Sequence, residues 1–196
     1  MYLVSEVACL DERMKNGLLY DTGLRQDTSA INRQLHSIET CEMNMELLFN
    51  SNGSPDVELL KKIITRAFRL AAQIYLYSLD PDFSAEKPHC VELVEEITTS
   101  IFQRLPSGPT GFDRCLVWPY VISGSVCTAS SDLRRLINNR IEELGVAAKF
   151  GSFSGLVTVL REVWRRVDSP LDVSGNKINI SWRHVMEEMG WDYLLI

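Results

Sequence analysis

Apolar residues recur every three or four positions along most of this chain, which is the spacing of amphipathic α-helices. The pattern predicts a first helix over 3–14 with Gly17 just beyond it. A second helix is predicted to start at an N-cap, Asp27 or Thr28, and to continue to Leu48. The N-terminal quarter of the chain should therefore form a pair of helices.

Strong start and stop signals frame the next two predicted helices. Ser54, followed by proline and aspartate, predicts the start of a long third helix, because its hydroxyl can cap free amides and proline suits the first turn. The Asp-Pro-Asp triplet at 80–82 ends that helix. A fourth helix after Pro88 carries an apolar stripe from Val91 to Leu105.

The segment 115–129 has no polar face, which predicts a helix buried on several sides with Pro119 in its first turn. Three further helices follow, with Gly145 closing the first of them. The first is capped by 130–132 and has its apolar stripe over 133–144, the second carries an apolar stripe over 156–167, and the third runs from Ser181 through Met189. About eight helices with short connections and no strand pattern predict an all-α fold, a single-domain array over 1–196.

Composition narrows the function classes. Hydrophobic residues at 45% and charged residues at 23% are ordinary for a folded globular protein. A formal charge of -6 would repel a phosphate backbone, so direct DNA binding by this chain is not expected. The start of the chain lacks the features of a signal peptide, and the apolar segment 115–129 is shorter than the roughly 20 residues that a membrane helix needs. Neither secretion nor membrane insertion is expected.

The five cysteines form no CxxC pair and are odd in number. A disulfide framework or a zinc module would need paired cysteines at characteristic spacing, so neither is predicted. The cysteines are interpreted as thiols of a reducing compartment. No cofactor and no metal is expected in this chain.

The run 116–124, LVWPYVISG, is an uncommon string. It resembles a pattern in the C-terminal domain of fungal-specific transcription factors, which usually reads L-x-W-P followed by hydrophobic residues and then glycine. The similarity covers most of 60–196. Other residues that carry it are the arginines of the next helix, a second arginine-rich helix and the start of the last helix: Arg134, Arg135, Arg140, 161–166, Ser181 and Trp182.

The resemblance implies a regulatory domain of a nuclear transcription factor that controls RNA polymerase II transcription. Members of that family normally carry an N-terminal cluster of six cysteines that binds two zinc ions, and this sequence contains no such cluster. The chain is then a fragment, a shortened gene product or a family member without its own DNA-binding segment. DNA would be contacted only through a domain outside it.

The expected partners are a small-molecule effector, a second copy of the chain or a transcriptional co-regulator, with no membrane partner. Two alternatives stay open. One is a free-standing helical interaction or small-molecule-binding protein that lacks its own DNA-binding segment. The other is a helical enzyme whose site is assembled from distant residues, although no catalytic residue is predicted and the chain is not expected to be an enzyme.

Four residues form the family signature and are predicted to be structural: Trp118, Pro119, Gly124 and Trp164. Gly124 should permit close helix packing, and the tryptophans should fill core volume with their indole N–H groups satisfied locally. The alternative for Trp118, Tyr120 and Trp164 is that they line an effector pocket, because aromatic faces beside apolar walls suit small molecules.

The charged residues are predicted to be neutralised within the chain. Arginines 134, 135 and 140 could receive an acidic partner, but the glutamates Glu142, Glu143 and Glu162 offer intramolecular pairing. Arginines 161, 165 and 166 should form a solvated face. His184 with Glu187 and Glu188 supplies too few ligands for a closed metal site. The run 151–155, GSFSG, resembles a nucleophile elbow, but its centre is Phe153 and no strand is predicted before it.

Overall fold

The computed structural model describes residues 2–17, 21–37, 48–49, 53–108, 110–169 and 180–191. Within those residues the chain forms eight α-helices, and its only β feature is an isolated bridge between Phe49 and Pro55. The all-α prediction is confirmed. In chain order the helices are α1 (Tyr2–Lys15), α2 (Asp21–Ser37), α3 (Val57–Ser78), α4 (Pro88–Ile97), α5 (Val117–Ser125), α6 (Asp132–Leu144), α7 (Gly151–Val167) and α8 (Trp182–Glu188).

Most helix ends follow the local sequence signals. Gly17 lies just beyond α1 with φ 65°, and Gly145 closes α6 with φ 54°. Ser131 and Ser181 are the N-caps of α6 and α8, and each hydroxyl accepts a hydrogen bond from an amide two residues on. Pro88 occupies the first turn of α4, where its missing N–H costs nothing.

The predicted starts of two helices are wrong. The Asp-Thr pair occurs at both 21–22 and 27–28, and α2 begins at the earlier pair. The N-cap of α3 is Asp56, whose carboxylate accepts from the Leu59 N–H at 3.0 Å, whereas Ser54 lies before the isolated bridge.

The end of the predicted second helix needs a separate correction. α2 is described as far as Ser37, and residues 38–47 of the prediction lie outside the described residues. Leu48 is buried but not helical, and its carbonyl accepts from the Asp56 N–H at 2.9 Å. That hydrogen bond holds Leu48 against the start of α3 rather than at the end of α2.

The fourth helix also departs from its prediction as one regular helix to Leu105. Regular α-geometry ends at Ile97 and a π-helical turn follows, Thr98–Phe102. The hydroxyls of Thr98, Thr99 and Ser100 all donate to carbonyls four residues earlier. Such back-bonding competes with the regular ladder and bends helices, which explains the change. Val91, predicted in the apolar stripe, is exposed.

α3 and α5 form the centre of the molecule. α3 packs against α1, α2, α4 and α5, while α5 also packs against α6, α7 and α8. Every residue from Val117 to Gly124 is buried, which confirms the prediction for the middle of the apolar segment, whereas Cys115 is exposed and residues 126–129 lie beyond the helix. A helix buried on all sides needs no polar face, because none of its surface meets water.

Gly124 lets α5 approach its neighbours closely. A Cβ placed on Gly124 would lie 2.9 Å from Leu160 Cδ1 on α7 and 3.1 Å from Ile137 Cδ1 on α6. Those distances are shorter than carbon–carbon contacts in packed proteins. A side chain at this position would therefore clash with α6 and α7. No helix in the described part of the chain is long and apolar enough to cross a membrane.

Candidate ligand-binding cleft and its buried supports

A cleft of about 410 Å³ lies between α1, α2 and α3. Its volume falls within the range of small-molecule sites, roughly 300–1,000 Å³. The polar residues in its wall are Tyr2, Thr65 and Arg69, and Tyr2 and Thr65 are both exposed. The other lining residues are apolar: Leu3, Val4, Leu35, Ile64, Phe68 and Ala72.

Arg69 is the charged residue of the cleft wall, and it is only 9% exposed. Its guanidinium has no hydrogen-bond or ion-pair partner within the described residues. The nearby Glu96 carboxylate is held instead by Arg66 at 2.9 Å. Burial is the main cause that lowers the pKa of Arg69, with Glu96 opposing and Arg66 adding to the shift. Arginine nevertheless stays protonated in proteins, so the cleft contains a buried positive charge.

An aromatic row runs from the cleft into the core. Phe68 in the cleft wall stacks on Trp118 of α5, with ring centroids 5.6 Å apart and planes at 6°. Tyr75 meets Trp118 edge-on at 6.3 Å and Trp182 of α8 edge-on at 5.8 Å. Phe68 in the cleft wall therefore contacts α5 directly through Trp118. Trp118 in turn contacts Tyr75, which meets Trp182 of α8.

A polar cluster joins α1, α3 and α8 beside this row. Asp11 accepts hydrogen bonds from the Tyr75 hydroxyl and from Arg183 Nη1, both at 2.6 Å. Arg183 Nη2 also donates to Glu12 at 3.2 Å. Burial and the Asp11 carboxylate raise the pKa of Tyr75, so its hydroxyl keeps its proton and remains a donor. The cluster fixes α1, which forms one wall of the cleft, to the last described helix.

A second, more deeply buried cluster centres on Asp113. Its carboxylate accepts from the Tyr120 hydroxyl at 3.0 Å, Arg140 Nη1 at 2.7 Å and the Gly108 N–H at 3.1 Å. Arg140 Nη2 donates to the Phe102 carbonyl and, at 2.8 Å, to the Leu105 carbonyl. Arg140 therefore attaches α6 to the end of the π-helical turn, where carbonyls lack helical partners.

A third buried arginine supports the junction of α5, α6 and α7. Arg134 Nη1 pairs with Asp168 at 2.6 Å, and its guanidinium carbon lies 4.8 Å from the centre of the Trp164 ring. The Trp164 indole N–H donates to the Gly124 carbonyl at 2.9 Å. Trp164 and Gly124, two signature residues of the sequence, are thus joined by one hydrogen bond.

The predicted site residues are packed into the interior. Trp118, Tyr120 and Trp164 are 4%, 0% and 7% exposed, and Pro119 is buried in the first turn of α5. None of the three aromatic residues lines the cleft. Trp118 is adjacent to it, because it supports Phe68 from behind.

The predicted pairing of the arginines within the chain is confirmed, but the predicted partners are wrong. Arg134, Arg135 and Arg140 pair with Asp168, Asp132 and Asp113 rather than with glutamates. Glu142 and Glu143 are exposed on α6. The three aspartates lie in loops or at helix ends, where their carboxylates reach the arginines. Glu162 pairs instead with Arg165 and Arg166 on its own helix.

The remaining motifs carry no assembled site. His184 Nε2 lies 3.0 Å from Glu188, and the described residues contain no group of three metal-ligating side chains. Residues 151–155 form the first turns of α7, and residues 151–153 line one side of a second, smaller cavity of about 200 Å³. Among the described cysteines, Cys9 and Cys115 are exposed while Cys90 and Cys127 are buried.

Sequence reasoning missed Arg69, Asp113 and the cleft itself. One signal for Arg69 was available, since it interrupts an apolar run of α3 between Phe68 and Leu70. Asp113 follows a glycine-rich loop and gives no such signal. The cleft depends on how α1 and α2 pack on α3, which periodicity along one helix does not encode.

Comparison with known proteins gives a consistent result. The profile of a family described as "Fungal specific transcription factor domain" matches residues 1–196. The chain is similar, at 39% identity over 215 aligned residues, to the "Transcriptional regulatory protein pro1" of Neurospora crassa. The alignment covers 100% of this chain and 31% of that relative's length. No solved structure shows significant similarity to the chain.

Proposed function

This chain belongs to the family of fungal-specific transcription factor domains, and from that premise we propose that it is the regulatory domain of a transcription regulator. The observation that carries the proposal is the family match over the whole chain, supported by a relative whose name is that of a transcriptional regulatory protein. We propose further that it acts in the nucleus on RNA polymerase II transcription.

DNA recognition is assigned to a segment outside these residues. The formal charge of -6 opposes binding to a phosphate backbone, whose affinity depends on clustered Lys and Arg. Several arginines of this chain are already neutralised, since Arg134, Arg140 and Arg183 pair with aspartates. The domain therefore supplies regulation rather than contact with DNA, and the proposal assigns it no chemical step.

The domain responds to an effector or a partner, and the cleft between α1, α2 and α3 is the proposed entry point. A ligand that contacts Phe68 would change the packing of Trp118 and hence the position of α5. A ligand shifts a conformational equilibrium only as far as it binds the two states differently. The cleft meets that requirement if α1 or α2 moves when it is filled.

A tethered reporter tests the regulatory assignment. The full chain is fused to a heterologous DNA-binding domain, and transcription of a reporter with the matching sites is measured against the DNA-binding domain alone. The proposal predicts a several-fold change in reporter transcription in either direction. Arg140→Met breaks a buried ion pair and is the test variant. Arg135→Met breaks an exposed ion pair and is its matched control. Output equal to that of the DNA-binding domain alone would refute the assignment.

A further inference from the structure

We infer that the cleft between α1, α2 and α3 binds a small amphipathic anion, with Arg69 as the counter-ion of its head and the apolar wall around its body. This inference rests on the proposed function, because it names the chemical class of the effector. Two independent features of the cleft carry it. One is the unpaired charge of Arg69, and the other is the apolar lining that surrounds it.

The first feature is a largely buried arginine that makes no hydrogen bond or ion pair with the described residues, and whose guanidinium nitrogens reach the solvent of the cleft. Charged side chains are almost never this deeply buried unless they are paired. The other arginines of comparable burial have carboxylate partners within 2.7 Å, since Arg134 pairs with Asp168 and Arg140 with Asp113. Arg69, at 9% exposed, has none among the described residues. An anion in the cleft would supply the missing partner.

The local charges favour a ligand with a single anionic head. Arg66 contributes a second positive charge near Arg69, but Glu96 neutralises it through a 2.9 Å ion pair. Glu6 adds a carboxylate beside Tyr2 at the exposed edge of the wall, so Arg69 is left as the cation that lines the cleft itself. A carboxylate can accept two parallel hydrogen bonds from a guanidinium, which gives that head group both affinity and orientation.

The second feature, the apolar lining, determines the chemistry of the rest of the ligand. Six of the nine residues that line the cleft are apolar, and Phe68 presents an aromatic face. A ligand made only of charge would leave this surface unfilled, while a purely apolar one would leave Arg69 unpaired. An aliphatic or aromatic body joined to one carboxylate satisfies both, within a volume of about 410 Å³.

Decanoate is the probe for a calorimetric test on the full chain, used below its micelle concentration. Decanol and decylamine have the same apolar body with a neutral or cationic head, and butanoate has the head with little body. We expect saturable binding of decanoate, with the other three weaker by roughly tenfold or more, as the loss of a charge-assisted hydrogen bond or of apolar burial implies.

Variants at Arg69 separate charge from shape. Arg69→Met should weaken decanoate binding by roughly tenfold to a hundredfold and leave decanol binding unchanged. Arg69→Lys should retain part of the affinity, because it keeps the charge but loses the two-pronged geometry. Arg161→Met removes an exposed arginine on α7 that does not line the cleft, and it should bind decanoate like the parent chain.

A second variant protects the test against a misfolded Arg69→Met chain. Thr65 is exposed at the cleft, so Thr65→Trp should fold and obstruct the site while Arg69 stays in place. It should lose decanoate binding. The inference is overturned if decanoate does not bind the parent chain, or if it binds Arg69→Met or Thr65→Trp as tightly. Those results leave the reporter test untouched, and a flat reporter with intact decanoate binding would refute only the regulatory role.

Discussion

Arg69 is a charged side chain at a position where charge lowers stability. It lies in the apolar wall of the cleft at 9% exposure, without a partner in the described structure. Burial disfavours the charged form of Arg69 and lowers its pKa, although its nitrogens still reach the cleft. Arg69→Met should therefore raise the free energy of unfolding of the unliganded chain by about 1 kcal/mol, measured by urea denaturation. Arg161→Met, at an exposed position, should change it by less than about 0.5 kcal/mol. A loss of stability in Arg69→Met would show that Arg69 serves the fold.

Gly124 illustrates how one missing side chain sets helix packing. Adding a methyl group places it 2.9 Å from Leu160 and 3.1 Å from Ile137. Overpacking costs about 1–3 kcal/mol, of which helix propensity returns up to about 1 kcal/mol. Gly124→Ala should thus lose about 1–2 kcal/mol in urea denaturation. Combining it with Leu160→Val, which removes the clashing methyl groups, should cost less than the sum of the two single changes. Strict additivity would argue against close contact between α5 and α7.

The described thiols should differ sharply in reactivity. Burial raises the pKa of Cys90 to about 11 and that of Cys127 to about 12, and both side chains are buried. Because the thiolate is the reactive species, both should resist iodoacetamide at neutral pH in the folded chain. Cys9 and Cys115 are exposed and should be alkylated first, as mass spectrometry of tryptic peptides would show. Early modification of Cys90 or Cys127 would contradict the packing around α4 and α5.

At the scale of elements, the sequence predicted which segments are helical better than where they begin and end. The apolar repeats of α3, α6 and α7 identify buried faces directly, since packing selects residues at helical spacing. The start of α2 was ambiguous, because the same Asp-Thr pair occurs twice. The π-turn after Ile97 follows from three consecutive hydroxyl residues, a signal that apolar periodicity ignores.

One buried ion pair joins α6 to the segment just before α5. Arg140 and Asp113 are 7% and 0% exposed in their side chains and lie 2.7 Å apart. Removing one partner of a buried pair leaves an uncompensated charge and costs about 3–5 kcal/mol. Arg140→Met should show a loss of that size in urea denaturation. Arg135→Met breaks the exposed pair with Asp132 and should cost less than about 1 kcal/mol.

A double change checks the cause of the Arg140 effect. In Arg140→Met combined with Asp113→Leu, the orphaned carboxylate is absent, so much of the stability should return. If the double variant is less stable than Arg140→Met alone, the hydrogen bonds that Asp113 accepts from Tyr120 and Gly108 are what stabilise this region. Either result would assign the role of Asp113 by measurement.

For the molecule as a whole, the all-α class could be predicted from the spacing of apolar residues. The cleft could not. The signature residues Trp118, Pro119 and Gly124 were identified from their unusual string, and they form the buried α5. A cleft is a relation between helices: α1, α2 and α3 leave a space that no single repeat reveals. The ion pairs were unpredictable for the same reason, because Asp113 and Arg140 are distant in sequence.

The same three-dimensional relations connect the cleft to the rest of the fold. Phe68, Trp118, Tyr75 and Trp182 form a continuous aromatic row from α3 through α5 to α8. Asp11 and Arg183 tie α1 to the same end of the row. A change in the position of α1 on ligand binding would therefore act on the aromatic row and on the Asp11–Arg183 ion pair together.

If this domain regulates transcription, unfolding it in the cell should change which transcripts are made. The most direct measurement replaces the native chain with Arg140→Met in the cell and sequences nascent RNA polymerase II transcripts, with Arg135→Met as the matched control. Arg140→Met should change a defined set of transcripts, and Arg135→Met should leave them as in the parent. Identical transcript profiles for the parent and both variants, with Arg140→Met shown to be unfolded, would contradict the regulatory role.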